Sequence, residues 1–376
     1  MANNENSPRR LKGYYPFSKK YPSRRGNQAI SESRKTKKRE RNKKILFCVL
    51  LVCLFISTFI FAKFIHNLIT RPLPEPEQND TPVISNDNIG TVRAIYIENE
   101  ILGEISDLSK ALDEAKLNGF NAVMLDFKTK EGYITYNSDE LGVSNKKLNK
   151  IDSVIIEKIK SEGFMLVGRI FCFEDTVAPQ RINAYIYEDI EKTKIWFDNS
   201  AILGGRVWLD PTSARAQNYL CDVIKQVTEV GADCVYLESV QFPAVQSGTS
   251  PVYTADDTTL NRNAVLLQFI EKAVVAAGRC PVIIGVAYEG AVGGDSEKWG
   301  GTLFDTAAAV CSPMISAPED SDYIQFVADS YIVMNDSAKN NFSTLKIIPT
   351  VKMMPEDIDF YEKLTESKAD SYIIVP

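Results

Sequence analysis

Eight short apolar runs recur along residues 90–376, at 92–97, 121–127, 164–170, 233–238, 281–287, 309–315, 345–351 and 371–375. Each is bounded by polar or turn-forming residues, and several end on a carboxylate. Runs of this length without polar alternation are the pattern of strands buried on both faces, as in parallel sheets. Between them, residues 105–117, 151–161, 213–231, 259–278 and 355–367 carry apolar side chains at helical spacing. Strand and helix thus alternate, and eight strands in about 285 residues predict an α/β fold of the (β/α)8 TIM-barrel type. A doubly wound open sheet is the alternative architecture. Against it, no glycine-rich phosphate loop follows the first strand, and nucleotide-binding folds of that kind commonly carry one there.

Before residue 90 the pattern is different. Residues 45–62 hold eighteen positions without a charge or proline, and Phe64 and Ile65 extend the run past Lys63. At about 1.5 Å of rise per residue, such a segment reaches the thickness of a bilayer's hydrocarbon core, so residues 45–66 are predicted to form a transmembrane helix. Residues 1–44 are rich in Lys and Arg with few acids or apolar residues, although the whole chain carries a net charge of −6. That tail is predicted to be disordered. Arg39, Arg41, Lys43 and Lys44 abut one end of the apolar run and only Lys63 and Arg71 lie near the other, which places the amino terminus in the cytoplasm. Residues 67–89 are proline-rich and acidic from Arg71 to Glu77 and read as an extended linker. The expectation is a single-pass protein of the cell membrane, anchored through residues 45–66, with residues 90–376 extracytoplasmic. The basic tail is accounted for as a topology signal, and no nucleic-acid partner is expected.

The chemistry open to the outer domain is narrowed by what it lacks. The one histidine, His66, lies at the membrane edge, so no imidazole serves a Ser-His-Asp or Cys-His arrangement or a zinc site of the usual ligands. Neither a metal nor another cofactor is expected. Outside the apolar span there are five cysteines, Cys172, Cys221, Cys234, Cys280 and Cys311. Their odd number and apolar neighbours point to separate buried thiols. Carboxylates remain as acid–base groups. Glu238 closes the fourth strand, Asp126 the second, and Asp175 and Glu289 come after the third and fifth. A barrel would gather these on the rim where strands end. Two carboxylates flanking a scissile bond are the machinery of glycoside hydrolysis. Lys128, Tyr133 and Arg169 fall in the same loops and are candidates for binding sugar hydroxyls. Trp208 could stack on a ring, although a tryptophan in a long loop often serves as a packing anchor. Asp210-Pro211 reads as the start of the following helix.

Several blocks together resemble the glycoside hydrolases of bacterial cell envelopes, a family of barrel proteins. They are Leu125-Asp126-Phe127-Lys128 followed by Gly132-Tyr133-Ile134-Thr135-Tyr136, Arg169-Ile170 with Phe173 and Asp175, Trp208-Leu209-Asp210-Pro211, the stretch from Asp233 through Phe242-Pro243, and Ser312-Pro313-Met314. The resemblance spans residues 91–376 and implies a polysaccharide or oligosaccharide as partner. The family typically has aspartate at the position of Glu238 and arginine at that of Gln241, which is carried over as a substrate-binding position. An aspartate usual near the end of the fifth strand aligns with Val286. Two readings stand: hydrolysis of a cell-envelope or extracellular polysaccharide, with Glu238 and Glu289 as working pair and Asp126 positioning substrate, or a saccharide-binding surface module without catalysis.

Overall fold

The structure, a computed structural model, describes residues 89–138, 147–246, 248–255, 260–287, 297–303, 310–315, 345–352 and 370–376. The chain divides into two compact units, Met1–Thr81 and Pro82–Pro376, and every described residue lies in the second. The basic tail, the apolar span 45–66 and nearly all of the linker, together with Glu289 and the expected helix 355–367, lie outside the described residues. Among the described residues no helix is long and apolar enough to cross a membrane.

Among the described residues, the strands of the sheet pair in parallel throughout. β1 (Arg93–Tyr96), β2 (Ala122–Lys128), β3 (Met165–Phe171), β4 (Cys234–Glu238), β5 (Val282–Ala287) and β6 (Val310–Ile315) pair in sequence order. β7 (Lys346–Ile347) and β8 (Thr350–Lys352) both lie on β6, and β9 (Tyr372–Val375) joins β8 to β1. The sheet therefore closes into a barrel of eight staves. Sequence pattern predicts the seventh stave as one strand over 345–351, whereas it is broken between β7 and β8. The break falls at Pro349, which has no amide hydrogen to give the ladder.

Helices cover the outside. α1 (Ile105–Leu117) buries Leu108, Leu112 and Ala115, one stripe at helical spacing. α2 (Ser153–Ser161) begins where the Asp152 side chain accepts from the amides of Val154 and Ile155 at 3.0 and 3.1 Å, satisfying donors a helix start leaves open. A short α3 (Ala178–Ile182) precedes α4 (Ala214–Val230), and α5 (Arg262–Ala277) is capped by Asn261. Alternation along the strands sorts the core into two. Leu125, Leu166, Ile170, Val235, Leu237 and Ile284 pack under the helices. Ala94, Met124, Val167, Tyr236, Ile283 and Ile373 fill the barrel.

Within the barrel, the Tyr236 hydroxyl lies 3.0 Å from Thr350 Oγ1, which is 2.8 Å from Ser312 Oγ, and Ser312 donates to the Ile348 carbonyl at 2.5 Å. This chain of hydroxyls crosses the interior beneath the end of β4. Gly285 makes room for it, since a Cβ there would stand 2.5 Å from the Tyr236 oxygen and 2.6 Å from its ring. Gly285→Ala is expected to lower stability by about 1–3 kcal/mol through overpacking, read as a fall in thermal midpoint. Cys172, Cys221, Cys234 and Cys311 are buried, Cys280 is half-buried, and all five are free thiols. Burial pushes Cys221 up to about 11 and Cys280 and Cys311 up to about 12, far from the reactive thiolate.

Candidate active site

The mouth of the barrel is shaped by an irregularity at the end of β2. Asp126 pairs with Arg169 on β3, yet Lys128 pairs with Ile170, so Phe127 is an extra residue. A bulge of this kind shifts the succeeding residues by one position and reverses the side each faces. Asp126 consequently stays with Arg169 at the mouth, while Lys128 turns into the protein. Lys128 is fully buried, with Nζ 2.7 Å from Asp175 Oδ2 and donating to the Phe171 carbonyl at 2.6 Å. Asp175 is fully buried too, and its Oδ1 accepts from the amides of Val177 and Ala178 at 2.8 and 2.7 Å, fixing the start of α3. Gly132, with φ of 101°, leaves the space that this carboxylate occupies. Sequence pattern puts Asp175 among the candidate acids and Lys128 among the sugar-binding candidates; the structure places both in the interior. They form a buried ion pair that ties two loops together.

At the rim itself stand Asp126, Arg169, Glu174 and Glu238. Arg169 grips Asp126 with Nε to Oδ1 at 2.5 Å and Nη2 to Oδ2 at 3.0 Å, and Tyr96 donates to Oδ2 at 3.0 Å. The guanidinium is sandwiched against the rings of Tyr96 and Phe171, 4.4 and 4.9 Å from their centroids. Such a two-pronged, stacked arginine is held in one orientation. Glu174 pairs through Oε1 with Arg206 at 2.6 Å and Lys130 at 3.2 Å, and accepts from Ser239 Oγ at 3.2 Å through Oε2.

Glu238, half-buried at the last position of β4, lies beside Phe171 in register. Burial raises its carboxyl above the ordinary glutamate range; Arg169 opposes this, Asp126 and Glu174 add to it, and Lys130 opposes it. A protonatable carboxyl beside a fixed Arg–Asp ion pair can deliver a proton to a bound group.

Trp208 is buried and its indole donates to Asp198 Oδ2 at 2.9 Å, so it anchors packing and offers no face to a sugar. Trp196, also buried, donates to the Thr249 carbonyl at 2.8 Å. Tyr133 is half-buried in a tight turn with Thr129, and Gln241 is half-buried in the loop after β4. Asp210 is fully buried and accepts from Thr212 and from the Thr254 amide, holding the approach to α4. Glu289 lies outside the described residues. Sequence reasoning passes over Tyr96, Lys130, Glu174, Arg206 and Ser239. Tyr96 shares the strand parity of inward-facing Ala94, a readable signal, whereas nothing local marks Arg206.

A closed parallel barrel with acids at the carboxyl ends of its strands is one architecture on which paired-carboxylate glycoside hydrolysis can be built. Residues 94–365 match the family described as "Putative glycosyl hydrolase domain", and the chain belongs to that family. No curated protein sequence matches it. Among solved structures, the glycoside hydrolase domain of PgaB (BpsB) from Bordetella bronchiseptica is similar with a TM-score of 0.55 and 12% identity, over 76% of this chain and 94% of that one. At that identity the likeness is one of fold. A hypothetical protein from Ruminiclostridium thermocellum matches with 20% identity and a TM-score of 0.44, over 50% of this chain and 96% of its own. The glycoside hydrolase domain of PelA from Pseudomonas aeruginosa matches with 12% identity and a TM-score of 0.43, over 76% and 95%.

Proposed function

We propose that this chain is a membrane-anchored glycoside hydrolase whose extracytoplasmic barrel cleaves a cell-envelope or extracellular polysaccharide, with Glu238 as proton donor. The observation that carries this reading is the setting of Glu238: a half-buried carboxyl at a strand end, where burial, Asp126 and Glu174 favour its protonated form against the opposing charges of Arg169 and Lys130. In the reaction its proton passes to the glycosidic oxygen as that bond breaks, while a second carboxylate attacks the anomeric carbon or activates water. Glu289, two residues beyond β5 in sequence, is proposed for that second role. Asp126, fixed by Arg169 and Tyr96, orients the sugar and the guanidinium. The family match and the fold shared with the PgaB glycoside hydrolase domain support the reading.

The test is incubation of the full chain, in detergent micelles, with a broad panel of bacterial and plant polysaccharides, followed by product analysis. Release of oligosaccharides that is lost in Glu238→Gln and Glu289→Gln supports hydrolysis. Binding without turnover, unchanged by either substitution, points to a saccharide-binding module instead. One observation favours that second reading. Both oxygens of Asp126 and of Glu174 already have partners, so these two acids at the rim are engaged with groups of the protein itself. The anchoring is tested separately: protease added to intact cells, or to spheroplasts where an outer membrane is present, should cut within 71–88 and release a barrel-sized fragment. Cleavage only from the cytoplasmic side would overturn it.

A further inference from the structure

We propose that Glu174 is a positioning residue for Glu238, fastening the turn that carries it to the loops after β2 and β3. The proposal rests on the reading of Glu238 as proton donor. Three successive residues leaving β3 grip the end of β4. The Cys172 amide donates to the Glu238 carbonyl at 2.8 Å, the Phe173 amide to the Ser239 carbonyl at 3.3 Å, and the Glu174 carboxylate accepts from the Ser239 hydroxyl at 3.2 Å. Ser239 is a non-glycine residue with φ of 55°. A side chain in the left-handed region persists only where its surroundings hold it there, and such positions gather at functional sites. Beside the Phe173 amide on its carbonyl, Ser239 is held through its hydroxyl by the Glu174 side chain, itself buried at 7% exposure.

From its other oxygen Glu174 reaches in two further directions, to Lys130 in the loop after β2 and to Arg206 in the long loop between α3 and α4. Those two cations are 46% and 40% exposed, so the carboxylate is the fixed hub and the cations are its outer spokes. A glutamate placed only for solubility would point outward. This one joins three loops directly beside the candidate acid. Its charge also acts on Glu238, in company with Asp126 and Arg169 on β2 and β3 and Lys130 in the loop after β2; among the described residues Tyr236 on the same strand and Cys172 after β3 are also titratable neighbours. Glu174 and Asp126 favour the proton on Glu238, and Arg169 and Lys130 oppose it.

Two substitutions separate tether from charge. Glu174→Gln keeps an acceptor for Ser239 and deletes the charge; Ser239→Ala keeps the charge and cuts the tether. The full chain, carrying glutamate labelled with carbon-13 at the side-chain carboxyl, is titrated in detergent micelles, with the Glu238 signal assigned by its loss in Glu238→Gln. Both variants should move the Glu238 midpoint to lower pH, because a like charge is removed in one and released from its place in the other. A merely structural glutamate would lower the thermal midpoint and leave the titration where it was. An unmoved midpoint in either variant overturns the proposal, and should Glu174→Gln fail to fold, Ser239→Ala decides alone. The titration needs no substrate. Failure of the chain to cleave any polysaccharide, with both shifts present, would thus remove the hydrolase reading and leave the positioning role standing.

Discussion

Glu238→Gln is expected to reduce polysaccharide cleavage by about 10²–10⁴-fold, the range supplied by a positioned general acid, and at neutral pH to raise the melting temperature. The two effects have one cause. Burial, with Asp126 and Glu174 adding to it, raises the carboxyl of Glu238 in the folded protein above its ordinary value, so the folded state keeps this proton to a higher pH than the unfolded chain does. Between the two values folding takes up a proton, and stability falls as pH rises. Above the folded value the native protein carries the full cost of an ionised, half-buried carboxylate, while glutamine carries none. Below the ordinary glutamate range both states are protonated and the advantage of glutamine disappears. Melting curves of the two proteins from about pH 4 to pH 8 check this directly, the gain in the variant shrinking with acidification. A lower melting temperature for the variant at neutral pH would mean that ionised Glu238 is a structural partner of Arg169. Cleavage by the native enzyme should in turn decline as pH rises through the titration of this group, since the donor must hold its proton. A site that is less stable than its inactive variant conforms to the usual opposition between activity and stability.

The frame of the barrel is legible in the sequence because parallel strands covered on both faces read as unbroken apolar runs. Each of the eight predicted runs contains a strand, and the seventh is divided at Pro349, a residue visible in the sequence as a ladder breaker. Strand ends are legible as well, which is how Asp126, Arg169 and Glu238 are found as rim candidates. The facing of side chains past those ends is a different matter. Counting by two from Asp126 puts Lys128 on the same side, and only the bulge at Phe127 sends it inward; apolar pattern has no term for an inserted residue. Glu174 and Asp175 are adjacent acids after one strand, and the choice between them is made by distant groups. Gly132 and Lys128 receive Asp175, and Lys130, Arg206 and Ser239 receive Glu174. Likewise Trp208 is a ring in a loop until Asp198 is seen to hold its indole.

The buried pair Lys128–Asp175 carries the largest expected effect on stability. Neither side chain is exposed to solvent, and their atoms meet at 2.7 Å. Removing one member leaves the other charged and unpaired in the interior, which typically costs about 3–5 kcal/mol, a large part of the about 5–15 kcal/mol that holds a domain folded. Lys128→Met and Asp175→Asn should each lose that amount in urea unfolding, seen as a lower midpoint at unchanged slope. The asparagine side chain would retain an oxygen for the amides of Val177 and Ala178, so the start of α3 survives in that variant and the loss reports the charge alone. The double variant carries no stranded charge. It should be more stable than either single variant, with a coupling well above the few tenths of a kcal/mol seen between independent sites. Simple additivity of the two losses would show that the pair is not the source of stability. Activity measurements divide along the same line: in Asp175→Asn cleavage should fall in proportion to the folded fraction, whereas Glu238→Gln stays folded and melts higher at neutral pH while cleavage is lost.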